Sequence, residues 1–335
     1  MVKKTNKQSK EDKQNKASGK GVGHWSKIPE RGSYIGLKIC IYCYRICGYR
    51  LTYGLMAFLM VYFYLFAKNA KKASKEYIEV LKHYQKKQHL PISKLTVFQH
   101  FKGFGTSLID KLAVWCGDVS IEDIQFQNKT LLLEHIKAKT GAVILTAHLG
   151  NMEIVRALSQ EVKGLKVNAL VFNDNAQKFN ASLKKVNENV DINLITVRDI
   201  TPAFAITLKD KVDQGEFVVI AADRTSIHNP ERSIEARFLD EKVTLPQGAF
   251  VLASVLKVPV YTMLCLREKT KNYQVVLERF AERIDLPRDK RDIALSNYAQ
   301  HYCDFLAPYT LKYPEQWFNF FAFWKKKDLT ENETS

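Results

Sequence analysis

The sequence predicts an α/β fold: a mixed, mainly parallel central sheet flanked by helices, with an N-terminal apolar, membrane-associated helical segment. Three observations carry that reading. Short β-branched runs recur at 142–147, 166–172, 192–197, 216–222 and 258–266, and helical periodicity fills the stretches between them. A 17-residue uncharged run at 51–67 stands apart from this alternation, bounded by Arg50 on one side and by Lys68, Lys71, Lys72 and Lys75 on the other. The net charge of +16 is also concentrated at one end: residues 1–87 hold 19 Lys/Arg against 5 Asp/Glu, and the remainder 32 against 30. The body is thus almost neutral, which argues against nucleic acid as a partner.

Taken in order, residues 1–20 contain seven lysines and no aromatic side chain, the composition of a disordered tether to anionic lipid. The apolar run begins too far into the chain for a cleavable signal peptide. Residues 34–49 are apolar but carry Lys38, Arg45 and several tyrosines, suiting a helix in the headgroup region. Basic residues on both flanks of 51–67 disfavour a single crossing, so a re-entrant or in-plane helical hairpin bending near Gly48 is expected. A buried core helix is the alternative for a run this short. Residues 72–88 and 93–116 read as helices, the second amphipathic through Leu95, Phe98, Phe101, Leu108, Leu112 and Trp115. Further helices are expected near 152–162, 176–189, 202–214, 246–256 and 288–306, and an edge strand at 273–277. The expected divisions are a basic tail at 1–33, a membrane-associated segment at 34–70, the main domain at 71–327 and a polar tail at 328–335.

The six cysteines do not form a metal-ligand pattern. Cys40, Cys43 and Cys47 lie in the apolar segment with no matching His/Cys cluster and read as small hydrophobes or acylation sites, while the scattered Cys116, Cys265 and Cys303 are expected as reduced thiols; no metal is expected. No glycine-rich nucleotide loop or P-loop occurs, and no cofactor is expected. No Gly-x-Ser-x-Gly elbow occurs to support a nucleophilic hydrolase, and His228 alone cannot complete a metal site with His148.

Chemistry concentrates at Val143-Ile144-Leu145-Thr146-Ala147-His148-Leu149-Gly150-Asn151-Met152-Glu153. The apolar run suits a strand buried on both faces, and Gly150-Asn151 supplies the turn into a helix. His148 then stands at a strand's carboxyl end, where open α/β sheets bind ligands, with Glu153 one helical step away. A packing histidine and a carboxylate favouring a helix N-terminus are the simpler readings of each residue alone. A non-catalytic membrane- or nucleic-acid-binding protein would account for the basic N-terminus, but not for this pair.

Several stretches together resemble the bacterial lipid A lauroyl/myristoyl acyltransferase family, within the lysophospholipid acyltransferase superfamily. Ala147 to Glu153 resembles its histidine-plus-four-plus-acid motif. Ala221-Ala222-Asp223-Arg224 resembles its strand-end Asp motif, and Arg237-Phe238-Leu239-Asp240 through Leu245-Pro246-Gln247-Gly248 its Phe-Leu-Gly and Pro-x-Gly pair. Pro314-Glu315-Gln316-Trp317-Phe318-Asn319-Phe320 resembles the closing segment. The set runs in the family's order from about Trp25 to Trp324. Asp240 replaces the usual glycine and Met152 the usual tryptophan. The classical lipid A enzymes carry a phosphate-holding arginine between the first two motifs; here the corresponding helix reads Leu183-Lys184-Lys185-Val186, the nearest arginine is Arg198, and the role transfers to no named residue. The opening Trp25-Ser26-Lys27-Ile28-Pro29-Glu30-Arg31-Gly32-Ser33 and the closing aromatic segment look closer to the branch associated with aryl polyene lipid biosynthesis.

The resemblance implies acyl transfer from an acyl carrier protein or coenzyme A thioester to a hydroxyl of a membrane lipid or glycolipid, at the cytoplasmic face of a bacterial inner membrane. His148 is then the general base, with Glu153 fixing its tautomer, and backbone N–H groups near Asn151 are candidates for holding the oxyanion. Asp223 and Arg224 either face the same crevice, Arg224 toward a phosphate and Asp223 toward Arg224 or the base, or form a salt bridge at the strand end. Arg237, Pro246 and Gly248 are expected to shape the substrate pocket. The aromatic cluster Trp317, Phe318, Phe320, Phe321, Phe323 and Trp324, followed by Lys325-Lys326-Lys327, fits equally a buried core or a membrane-resting surface.

Overall fold

The computed structural model describes residues 34–155, 158, 162–171, 192–197, 201–224 and 232–324. The tails at 1–33 and 325–335, the helix expected at 176–189, Arg198 and His228 lie outside them, as does part of the helix expected at 152–162. The described helices are α1 (Tyr34–Phe66), α2 (Lys68–Lys87), α3 (Val97–Cys116), α4 (Lys129–Ala138), α5 (Pro202–Asp213), α6 (Gln247–Leu256) and α7 (Arg291–Lys312). The strands are β1 (Ile124–Gln127), β2 (Ala142–Thr146), β3 (Val167–Val171), β4 (Ile192–Thr196), β5 (Phe217–Ala221), β6 (Ser233–Phe238), β7 (Glu241–Pro246), β8 (Val260–Lys269) and β9 (Asn272–Ala281).

Seven strands form one sheet in the order β1-β9-β8-β2-β5-β3-β4. The five from β8 to β4 run parallel; β9 pairs antiparallel with β8, and β1 parallel with β9. This is the mixed, mainly parallel sheet that the alternation predicts. Residues 273–277 belong to β9, which is covered at the edge by β1, a four-residue strand too short to register in the sequence. Strands β6 and β7 form a separate antiparallel hairpin.

β2 is buried along its whole length because both sheet faces are covered. Val143 and Leu145 join the core beneath α2, α5, α6 and α7, whereas Ala142 and Ile144 join the core beneath α1, α3 and α4. The alternation continues past the strand: Ala147 and Leu149 pack into the first core. His148 is thereby left to the α1 and α3 side.

Helix α3 starts at Val97, later than periodicity suggests, because Thr96 and Gln99 form a capping box in which each side chain accepts from the other's backbone N–H. It ends at Gly117, in the left-handed region. Helix α1 departs from the expected hairpin. Gly48 (φ 68°) kinks it, but both halves continue in one direction, antiparallel to α3. Tyr44 donates to Asp118 (2.8 Å), Tyr49 to Asp110 (3.2 Å), Met60 packs on Gly105, and Tyr64 meets Phe98 and Phe101 edge-on. Ile41 and Tyr44 join the core, so the N-terminal half is tied to the body.

Candidate active site

The parallel register of β2 and β5 sets Thr146 opposite Ala221, and the ladder continues with Ala222 donating to the Thr146 carbonyl (2.9 Å). Two residues beyond these strand ends stand His148 and Asp223. The backbone N–H of His148 donates to Asp223 Oδ2 (2.7 Å), and its Nδ1 lies 2.8 Å from Asp223 Oδ1. Asp223 is only 3% exposed and the imidazole 38%, so the acid is sequestered while the ring keeps a solvent-accessible part.

This pairing corrects the expected partner of the imidazole. The Glu153 carboxylate accepts from Trp115 Nε1 (3.0 Å), an α3 side chain, while Asp223 holds the His148 ring. Sequence reasoning placed Asp223 in the same crevice but favoured Glu153, which is five residues away rather than 75. Burial and the neighbouring Arg224 guanidinium draw the His148 imidazole below its usual pKa, against the opposing pull of Asp223. Burial pushes the Asp223 carboxyl up, but His148 and Arg224 more than offset this and hold it below its ordinary value. A neutral ring beside an ionised carboxylate carries its proton on Nδ1 and offers Nε2 as the proton acceptor.

Two of the backbone amides expected to hold an oxyanion, those of Gly150 and Asn151, are already engaged. Gly150 N donates to the Gln316 carbonyl (2.9 Å) and Asn151 N to the Cys265 carbonyl (2.7 Å). The Asn151 side chain is buried, with Nδ2 on the Ser107 carbonyl (3.3 Å) and Oδ1 accepting from Glu153 N (3.2 Å). Asn151 therefore locks the turn rather than presenting its amide to a substrate. Arg224 donates to the Phe318 carbonyl (3.1 Å) and lies 5.4 Å from the Phe321 ring, and its positive charge is felt at the imidazole.

Gly150 is set by geometry. Its φ is +82°, and a β-carbon there would fall 2.1 Å from the Cys265 carbonyl oxygen, where the turn bridges to β8. Gly150→Ala is expected to cost about 2–5 kcal/mol from left-handed strain and the forced shift of β8. The denaturant midpoint of the purified protein measures it.

The closing segment is a buttress for this turn. Gln316 pairs both ways with the Arg267 backbone (2.9 and 2.8 Å), Leu149 bridges to Trp317, and Phe318 N donates to the His148 carbonyl (3.0 Å). Trp317, Phe318, Phe323 and Trp324 are buried, which resolves the aromatic cluster in favour of the core for these four; Phe320 and Phe321 are half-buried. His100, which sequence reasoning passed over, anchors the segment from α3: its Nε2 lies 2.8 Å from the Trp317 carbonyl and its Nδ1 2.8 Å from Ser74 Oγ. Burial draws His100 down to about 4, so the ring is neutral and Nε2 must be the donor to the carbonyl. A lone histidine in an amphipathic helix gave no signal of this.

Arg237, Pro246 and Gly248 are not joined to His148 or Asp223 by any described contact. Arg237 donates to the Asp240 carbonyl (2.9 Å) across its own hairpin turn, Pro246 caps α6, and Gly248 lies in that helix's first turn. These residues shape the hairpin and its exit, not the reacting centre. Asp240 has φ 64°, the left-handed geometry that the family's glycine would adopt freely, and its carboxylate pairs with Lys87 (2.8 Å).

A cleft of about 410 Å³ adjoins the turn, with Gly150, Asn151 and Phe318 on one side and Gln99, Lys102, Thr106 and Asp110 of α3 on the other. Arg267 closes it, paired with Asp110 (3.1 Å); burial pushes that carboxyl up to about 6 against the pull of Arg267. Polar residues outnumber apolar ones along its lining, with hydroxyls, amides and charges of both signs, although carbon makes up more of the exposed wall than nitrogen and oxygen do. Among the described residues no group of three or more His, Cys, Asp or Glu is arranged as a metal site.

A search of curated proteins finds no significant match to the chain. The family model for bacterial lipid A biosynthesis acyltransferases matches residues 39–326, from the kinked apolar helix to the end of the buttressing segment. On that match, which covers most of the sequence, the chain belongs to the bacterial lipid A biosynthesis acyltransferase family.

Proposed function

We propose that the protein transfers a fatty acyl group from an acyl thioester, carried by acyl carrier protein or coenzyme A, to a hydroxyl of a membrane lipid or glycolipid, with His148 as general base and Asp223 as its orienting acid. The observation that supports this most directly is the double contact of Asp223 with the His148 ring and backbone. Nε2 removes the hydroxyl proton as the oxygen attacks the thioester carbonyl. The tetrahedral intermediate then expels the thiolate, which takes the proton back from the imidazolium. Asp223 stabilises that imidazolium. With the neighbouring amides engaged, Arg224 is the described group whose charge best serves the developing oxyanion.

The polar cleft beside Gly150 and Asn151 suits a headgroup or the pantetheine arm better than an acyl chain, because burying its charged lining against hydrocarbon would be costly. Asp240 and Met152, where the family usually has glycine and tryptophan, support an acceptor other than lipid A itself, in line with the likeness to the aryl polyene branch. The proposed site of action is the cytoplasmic face of the inner membrane, where the thioesters are made.

Incubation of the full-length protein with each acyl thioester and a total membrane lipid extract, read by mass spectrometry, tests this. A lipid gaining one acyl mass is expected; thioester hydrolysis with no acylated lipid would refute it. The pH dependence carries a further expectation. Only neutral His148 is a base, and its pKa lies below the ordinary 6.5, so the acid limb of kcat/KM should fall below pH 6.5. Activity that is already half lost at a pH above 6.5 would contradict the assignment.

A further inference from the structure

Helix α1 is the one described helix long and apolar enough to cross a membrane. Its packing restricts how it can meet lipid. One side lies along α3 from Tyr44 to Tyr64, whereas Leu51, Leu55, Phe58, Tyr62 and Leu65 face outward, Phe58 being 78% exposed. An apolar face of this length, left uncovered among the described residues, is a lipid-facing surface. A perpendicular crossing would drag α3 into hydrocarbon with it, together with Lys102 and Asp110. Lying flat, α1 can bury its outer face while α3 stays above the headgroups.

A second apolar element adjoins this face. Leu90 and Ile92 follow α2 and are exposed, Ile92 to 50%, and Phe98 in the first turn of α3 meets the Tyr64 ring at 5.5 Å. The segment is held in place: Ser93 N donates to Gln85 Oε1 (2.8 Å), and Thr96 caps α3. The same segment lines the cleft through Ser93, Lys94 and Leu95, and Gln99 continues that wall just beyond it. Residues 34–102 carry twelve Lys/Arg and two Asp/Glu, a balance complementary to an anionic bilayer.

We propose that the 90–98 segment is a second membrane contact, which with the outer face of α1 seats the mouth of the cleft on an anionic lipid bilayer. The acceptor then enters sideways from the leaflet, with its polar headgroup passing into the cleft while its chains remain in lipid. His148 is not among the residues lining the cleft; it precedes the Gly150-Asn151 turn that forms part of the wall, and its carbonyl accepts from the N–H of another wall residue, Phe318. The consequence for the acceptor rests on the acyltransferase reading; the placement itself does not.

The test uses the full chain with phosphatidylcholine/phosphatidylglycerol vesicles whose acyl chains are brominated. Leu90→Trp and Ile92→Trp replace exposed side chains, and Ile293→Trp, exposed on α7, is the control. The fluorescence added at 90 and 92 should shift to the blue on vesicle binding and be quenched by bromine, while that at 293 is unchanged. Vesicle binding without quenching at 90 and 92 would overturn the proposal. A protein that does not bind the vesicles would overturn it as well. Neither readout depends on turnover, so failure here is distinct from failure of the acyl-transfer assay.

Discussion

His148→Ala is expected to lower kcat/KM for acyl transfer by about 10²–10⁴-fold, the range that a positioned general base supplies. The loss should fall on turnover, because the imidazole acts on the proton in flight rather than on a bound headgroup. Removing the ring also strips the buried Asp223 of one partner, although it keeps the His148 backbone N–H, so a stability loss of about 1–3 kcal/mol should accompany it. His148→Asn separates the two effects. Its amide N–H can still reach Asp223, restoring most of the stability, but it has no basic nitrogen and should be as inactive as the alanine variant. Transfer of a labelled acyl group to membrane lipid, alongside thermal unfolding, measures both. Unchanged turnover in either variant would end the general-base assignment.

Asp223→Asn should reduce turnover on the order of 10³–10⁴-fold with little change in the fold, by analogy with the loss of the orienting acid in a serine-protease triad. The asparagine can accept from the His148 backbone through its oxygen, which turns its NH₂ toward Nδ1. The imidazole would then carry its proton on Nε2, the atom that must accept one. Loss of the carboxylate also removes the influence that raises the imidazole pKa, so any residual activity should have its acid limb displaced further toward low pH. Glu153→Gln is the informative companion. Its carboxylate holds the Trp115 indole, and an amide oxygen can still accept that hydrogen bond, so a loss of no more than about tenfold is expected. If the Glu153 variant were the dead one and the Asp223 variant active, the ring-orienting role would return to Glu153.

The contrast between these two acids shows where sequence reasoning stopped. Glu153 attracted the assignment because it lies within a helical step of His148, and local spacing is what a sequence displays. Asp223 reaches the ring only because β5 lies beside β2 in the sheet, in a register that carries both strand ends to the same height. A similar limit applies to α1. Its apolar length and basic flanks are visible residue by residue, and so is the break at Gly48; that the chain continues along α3 after the break depends on Asp110 and Gly105 of that helix and on Asp118 just beyond its end. The buttress around Trp317 was visible only as a motif, without its purpose. Its action lies in backbone contacts with His148, Gly150 and Arg267, and backbone groups carry no signature of their own in the sequence.

By itself the sequence determined the strand and helix alternation, the placement of His148 after a doubly buried strand, the family likeness and the apolar, lysine-flanked segment. Each of these follows from side-chain periodicity, β-branched content or charge within a window of a few residues. The tertiary structure alone decided which acid holds the imidazole, which amides are already engaged, and that the polar cleft and the exposed apolar surfaces share one side of the molecule. Those depend on strand order and helix docking between distant segments, such as His100 and Trp317, 217 residues apart, where packing of the whole chain selects among arrangements that local preference leaves equal.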